Sequence, residues 1–312
     1  MKKLFELATV LFLLGAGGLP FQDAPAAVVV KLDGSVQIQM AGADPQAATV
    51  GTRLSVGDRV IPGAGAKAIV VFSSGATQTL TEAFTIQAPS GSAEGDMFSR
   101  TVQVLAQAAT SDARNQPNRQ GMIRPIPGAS PEIIGPRNSL PVKSTRPTFS
   151  WQPAEGQAEG HSEYIVQIRQ EGSAPIRYEV GATTSWTLPD DAPALIPGES
   201  YWWTVGPTGR GRPSREMQFQ VLALDKHDAL NEQLGILLEA GLDPEGDGAF
   251  LAAAIYREAG LYYDAAIALG FLEDAGQPLG VEALLLKGEI MDAMGELDAA
   301  QAAFDEADKA GR

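Results

Sequence analysis

Between Ala27 and Val221 the apolar positions of this chain keep the two-residue beat of β-strands, and past Leu224 they change to the three-and-four spacing of helices. Val28, Val29 and Val30 run into Asp33-Gly34, after which Val36, Ile38 and Met40 alternate with polar residues; two such runs around Asp-Gly predict a hairpin. Leu54, Val56, Val60 and Ile61 flank Gly57-Asp58. Ala68 to Phe72 forms an apolar strand that turns at Ser74-Gly75, Thr77 to Leu80 returns, and Phe84 and Ile86 close the series. A second set of short strands follows: Phe149 and Trp151 on one face, then Tyr164, Val166 and Ile168, then Ser185 to Leu188, then Leu195 to Val205, then Met217, Phe219 and Val221. Short alternating strands separated by turn residues predict a β-sandwich. From Asp225 onward, Leu230, Leu234, Leu237 and Leu238 open a region of about five amphipathic helices.

The helical region repeats internally. Aligning Gly260 with Gly295 places Ala249, Ala252, Ala253, Tyr256, Tyr262, Ala265, Leu269 and Leu272 of one unit over Leu284, Lys287, Gly288, Met291, Leu297, Ala300, Phe304 and Ala307 of the next. Small residues fall where two helices must approach closely. Two helices per unit at a period of about 34 residues resemble a tetratricopeptide repeat (TPR) array, with the helix before Ala249 as a capping half repeat. The structural repeat positions are Tyr256, Gly260, Ala265, Gly288, Gly295 and Ala300. The units depart from that family in lacking an aromatic at the start of each first helix and in placing Lys287 and Met291 where bulkier apolar residues are usual. The resemblance implies protein binding.

Two further resemblances lie in the β regions. Val50-Gly-Thr-Arg-Leu-Ser-Val-Gly-Asp-Arg-Val-Ile-Pro, followed by Lys67-Ala-Ile-Val-Val-Phe-Ser-Ser-Gly-Ala, resembles the FecR-type β domain, although Ser74 stands where that family often has an acid. Leu195, Pro197-Gly198, Tyr201, Trp203 and Val205 resemble the fibronectin type III and immunoglobulin-like sandwiches, in which the matching tyrosine bonds back to nearby backbone. The fold class expected is therefore multidomain, with two all-β modules and an all-α repeat. The boundaries are 1–26 for a signal peptide, 27–98 for the FecR-like domain, 99–131 for a linker, 132–222 for the sandwich and 225–312 for the helices.

Lys2 and Lys3, the apolar Leu4 to Leu14 and the small residues ending at Ala24-Pro25-Ala26 read as an export signal cleaved after Ala26. The apolar run is short of the roughly 20 residues a span needs, so no stable anchor is expected after cleavage, and the location expected is periplasmic or secreted. An uncleaved N-terminal anchor is the alternative.

The chain has 312 residues, a net charge of −15, two histidines and no cysteine. Residues 225–312 hold 19 acids against 5 bases, which leaves the remainder nearly neutral. That distribution disfavours nucleic acid and anionic lipid as partners. It leaves either a solvated helix surface or an acidic face for a basic partner. The bases Arg100, Arg114, Arg119, Arg124, Arg137, Lys143 and Arg146 face only Asp112 and Glu132 in the linker and the start of the sandwich, so docking of this stretch onto the acidic helices is an expectation beside that of a solvated tether.

Chemistry-bearing patterns are sparse. Asp243-Pro-Glu-Gly-Asp-Gly248 looks like half a calcium loop, but Ala254 occupies the twelfth position where a bidentate glutamate is needed, so Asp247 reads as a helix cap. Asp190-Asp191 sits between prolines in a turn, and His161 and His227 have no metal or triad spacing. No catalytic, cofactor-binding or metal-binding residues are assigned, and no enzyme activity is expected. Trp151, Trp186 and Trp203 read as core, and Trp202, on the opposite parity, as an exposed aromatic. The function expected is a non-catalytic scaffold or adaptor that binds partners with basic segments. The inner face of the first helix of each repeat, with Phe250, Arg257, Glu289 and Asp292, is the candidate surface, unless Phe250 packs against the preceding half repeat. An envelope sensor of FecR type and a polysaccharide-binding protein that holds glycan on Trp202 are the alternatives.

Overall fold

The computed structural model describes residues 25–87, 130–154, 163–209 and 211–311. The export signal up to Ala24, the linker arginines Arg100, Arg114, Arg119 and Arg124, and His161 lie outside the described residues.

The first strands form two four-stranded sheets. One has the order β4 (Arg53–Leu54), β1 (Ala27–Asp33), β6 (Lys67–Phe72), β7 (Thr77–Leu80); the other has the order β3 (Gln46–Ala47), β2 (Val36–Gln39), β5 (Arg59–Pro62), β8 (Phe84–Thr85). Asp33-Gly34 does not make the hairpin its sequence predicts. β1 pairs with β4 and β6, while β2 pairs with β3 and β5, so the chain turns a corner from one sheet to the other at this dipeptide. Gly34 has φ +78°, and a Cβ there would lie 2.9 Å from the Cβ of Ala66, so glycine is required twice over. Ser74-Gly75 does close the expected hairpin between β6 and β7, with φ +86° at Gly75. Asp58 is buried because its carboxylate accepts the main-chain N–H groups of Ala41 and Ser55 at 3.1 and 2.7 Å, which pins the turn after Leu54.

The second set of strands is a sandwich. A five-stranded sheet runs β10 (Pro141–Val142), β16 (Met217–Val221), β15 (Ser200–Pro207), β12 (Tyr164–Gln170), β13 (Ile176–Gly181), and faces a three-stranded sheet of β14 (Ser185–Thr187), β11 (Thr148–Gln152) and β9 (Glu132–Gly135). The alternating inward residues meet in an aromatic core: Phe149, Trp151, Trp203 and Phe219 are fully enclosed, and the Phe149 ring lies edge-on to Trp203 at 4.8 Å. Tyr201 turns its hydroxyl back on the preceding loop and accepts the Ile196 N–H at 2.8 Å.

Five helices follow among the described residues: α1 (Leu224–Glu239), α2 (Ala249–Glu258), α3 (Tyr262–Asp274), α4 (Val281–Met294) and α5 (Leu297–Ala310). The layout is therefore β first and α last. Only Leu222 and Ala223 separate β16 from α1, so the sandwich feeds directly into the helices. α2 packs against α3, and α4 against α5, as two hairpins. Gly260 and Gly295 take φ +76° and +81° at the two hairpin turns, a conformation that glycine adopts without Cβ strain. Gly288 leaves room for the Phe304 ring, which a Cβ would strike. Ala265 and Ala300 are buried in the hairpin contacts.

Asp247 does not cap α2. The cap position is Gly248, without a side-chain bond, and Asp247 pairs with Lys31 of β1. Among the described residues no group of acids or histidines is arranged to hold a metal ion, and no helix is long and apolar enough to cross a membrane.

Ala265→Leu forces a larger side chain into a closed helix crossing. It is expected to destabilise the chain by about 1–3 kcal/mol, read as a lower denaturation midpoint. An unchanged midpoint would mean that this crossing has slack.

Candidate interaction surface

β1 and β6 carry apolar residues on both faces. Ala27, Val29, Ala68 and Val70 face the neighbouring four-stranded sheet, while Val28, Val30, Ile69 and Val71 face the helices and share one core with Phe250, Leu286 and Ile290. The second face exists because α2 and α4 present their inner sides to it. The inner groove of the helical hairpins is thus filled by the chain's own β strands.

Main-chain bonds close this contact. Val50 is fully buried; its N–H donates to the Pro278 carbonyl, and its own carbonyl accepts the Gly280 N–H, both at 2.8 Å. The loop before β4 therefore pairs with the α3–α4 loop as one rung of a parallel ladder, Val50 opposite Leu279. Gln277 takes the place of a strand at the far end of β1: its amide accepts the Leu32 N–H at 3.0 Å and donates to the Leu32 carbonyl at 2.9 Å. Lys31 to Asp247 and Arg53 to Glu282 add ion pairs at the rim.

Phe250 is fully buried and lies over Gly51, where a Cβ would come within 3.3 Å of its ring and 3.0 Å of the Ala283 nitrogen. It holds the β module and is not open to an outside partner. It shares one core with the first β module and with Leu230, Leu234 and Leu237 of the preceding helix α1. Arg257 and Glu289 pair with each other across α2 and α4, and Asp292 sits half-buried on α4. Of the four residues chosen from sequence, Phe250 is enclosed in the contact with the β module, Arg257 and Glu289 answer each other, and Asp292 is half-buried. Val50, Gly51, Lys31 and Gln277 were not found from sequence. The one available signal was the unbroken apolar run at Val28–Val30 and Ala68–Val71, which marks a sheet buried on both faces.

The sandwich joins the helices through a second contact. The Arg137 guanidinium meets Glu296 and donates to the Met294 carbonyl at 3.2 Å, while its N–H donates to the Tyr263 hydroxyl at 2.9 Å. Burial raises the Tyr263 phenol well above its ordinary value. Gly135 is required beside it, since a Cβ would enter the Tyr263 ring. Lys143 reaches the Tyr256 hydroxyl at 3.3 Å and stands 5.4 Å from the ring centre. Of the bases noted in sequence, Arg137 and Lys143 thus touch the helical module, while Arg146 turns back to Asp190 within the sandwich.

A cleft of about 520 Å³ lies at this junction, lined by Lys143, Thr145, Leu222, Leu224, His227 and Asp264 among others. Burial raises the Asp264 carboxyl above its usual range, against the pull of the Lys143 charge and of a main-chain bond from Lys143. On the sandwich surface Trp202 is half-buried, and the Arg169 guanidinium covers it at 4.9 Å from the ring centre. Trp186 is also half-buried and stacks on Phe149 at 5.9 Å.

No family model matches the chain, and no curated protein matches it. Solved structures similar to parts of it are sandwich domains. One described as a myokine structure shares 17% identity over 31% of this chain and 99% of its own, with a TM-score of 0.24. The fibronectin domain of human contactin 1 shares 17% identity over 33% of this chain and 90% of its own, with a TM-score of 0.22. The chicken CNTN1 FN1–FN3 domains share 15% identity over 64% of this chain and 56% of their own, with a TM-score of 0.24. The sandwich described above rests on its own two sheets and its Tyr201 corner.

Two outcomes are expected. Phe250→Ala opens a cavity where α2, α4 and the Gly51 loop meet and lowers stability by about 3–5 kcal/mol; a loss below about 1 kcal/mol would mean that the β module is only loosely held. A folded pKa raised above the unfolded one makes the Asp264 contribution complete below about pH 4 and lost as pH rises through the folded value. The gap in unfolding free energy between Asp264→Asn and the parent should therefore change with pH above about 4. A constant gap would contradict the burial of that carboxyl.

Proposed function

We propose that this chain is an exported, non-catalytic scaffold of a bacterial envelope, in which a short TPR-like array clamps a FecR-like β domain, carries a fibronectin-like sandwich, and recruits protein partners. The observation that carries the reading is the Val50 rung: the loop joining the two helical hairpins holds one residue of the β module through both of its main-chain groups, with the side chain buried in the shared core. Main-chain pairing of this kind is how strand addition holds an extended protein segment. Matched positive-φ glycines at Gly260 and Gly295, and Gly288 beneath Phe304, support the TPR-like reading. Buried Leu54, positive-φ Gly57 and the Asp58-pinned turn support the FecR-like one.

With the inner groove filled in cis, partners in trans meet the outer helices. Asp298, Asp305, Glu306 and Asp308 on α5, and Asp225, Asp228, Glu232 and Glu239 on α1, are exposed there. A partner bearing basic segments fits that surface, and its affinity falls as salt screens the attraction. Photo-crosslinkers at Ala302 on α5 and Ala229 on α1, both exposed, test this in intact cells. The expected result is protein adducts at these positions, captured less efficiently at high salt, from a chain whose N-terminus in the envelope fraction is Ala27. Adducts confined to a probe at Trp202, or glycan in place of protein, would overturn the reading.

A further inference from the structure

The five-stranded sheet of the sandwich ends at β13, and among the described residues no strand pairs with its outer edge. The strand is open on its sides as well. Ile176 is 51% exposed, Arg177 and Glu179 are exposed, and Tyr178 and Val180 are half-buried. Ile176 and Tyr178 lie opposite Ile168 and Val166 of β12, Tyr178 and Val180 pack against the sandwich core, and Arg177 and Glu179 stand on the other face. Beside the edge lies an apolar cleft of about 220 Å³, lined by Ile176, Tyr178, Pro193, Leu195 and Ile196, with Ile196 54% exposed. A sheet edge of this kind is a template for another strand.

We propose that β13 is the interface of an isologous dimer, in which two copies of this chain add edge to edge, antiparallel, about a two-fold axis through Tyr178. The charge pattern of the strand selects both the occupant and the register. In an antiparallel pair, residues directly opposite share a face, so the axis must pass through a residue and not between two. An axis at Tyr178 sets Arg177 opposite Glu179 of the second copy, twice, on the outer face. It also sets Ile176 opposite Val180 on the inner face, covering the apolar cleft. An axis at Arg177 opposes two arginines, and an axis at Glu179 opposes two glutamates. The strand is thus self-complementary in one register and self-repelling in the two beside it. Pro175 before the strand and the irregular pairing between Tyr164 and Ile165, next to Gly181, confine the ladder to this short window. Either parity of the β13 main chain leaves matched donors and acceptors across the axis, because a two-fold exchanges each N–H with the carbonyl it meets.

Sedimentation equilibrium on the full chain tests the proposal, with four forms compared. The parent is expected to dimerise reversibly. Arg177→Glu and Glu179→Arg each turn two attractive contacts into repulsive ones and should weaken the dimer roughly tenfold or more. Both side chains are exposed, so circular dichroism should not change. The double variant with Arg177→Glu and Glu179→Arg restores opposite charges and should dimerise like the parent. The two single variants, mixed, set a strand whose outer face carries two bases against one whose outer face carries two acids, and should form a heterodimer. A parent that stays monomeric at all concentrations overturns the proposal. So does a dimer that both single variants leave intact, or a double variant no better than the singles.

Discussion

Everything in this molecule hangs on a sheet that has no free face. β1 and β6 are apolar on both sides, and a strand of that kind has no stable existence at the surface of a small β module. Exposing Val28, Val30, Ile69 and Val71 would place a contiguous apolar patch in water. The helices solve the same problem from their side. Five short helices have apolar sides that their own hairpin contacts do not cover, since Phe250, Leu286 and Ile290 share a core with β1 and β6. Here the β sheet covers those sides. The two modules are therefore partners in one core, although a long stretch of sequence separates them.

That arrangement explains where the specific polar bonds sit. Apolar faces attract without fixing direction. The Val50 rung and the two Gln277 amide bonds to Leu32 supply the direction, because each needs a main chain at a set distance and angle. The sandwich is fixed in the same way. Its aromatic core is self-contained, and it reaches the helices through Arg137, whose guanidinium and N–H together satisfy a carboxylate, two carbonyls and a phenol. At Gly135 and Gly280 close approach leaves no room for a Cβ, and Gly51 combines a tight fit with a positive φ.

The sequence made the elements legible, and less of how they meet. Alternation located the inward aromatics of the sandwich, a local consequence of strand geometry, and the resemblance carried by the Tyr201 pattern implied the bond back to the backbone. The helix pattern identified which residues are apolar but not what covers them. Phe250 looked free for a partner because its neighbour Gly51 lies far away in sequence and carries no side chain to advertise the contact. Asp33-Gly34 carries the local signal of a hairpin, yet β1 already has neighbours on both sides, and tertiary pairing overrides the turn preference. Met40 and Val56, in step with the apolar alternation, are exposed all the same: each lies where its strand has run out into a turn. Asp247 carried a capping signal and instead answers Lys31, a residue that no local window includes.

The charge asymmetry of the chain takes on a structural meaning from these joints. Lys31 with Asp247, Arg53 with Glu282 and Arg137 with Glu296 all place the base on a β module and the acid on the helices. Lys31 with Asp247, each about a third exposed, contributes little to stability by itself, while Arg53 with Glu282 is more enclosed. Their common polarity does something else: it disfavours docking the helices onto themselves or onto a second helical array, where acid would meet acid, and favours the β surfaces that carry the bases. The burial that holds Glu282 and Asp264 above the usual carboxylate range is the counterpart of this choice. Acids placed at a joint lose water when the joint closes. The partners Arg53 and Lys143 offset that loss in part, so the same groups that select the correct docking also limit how tightly it can close.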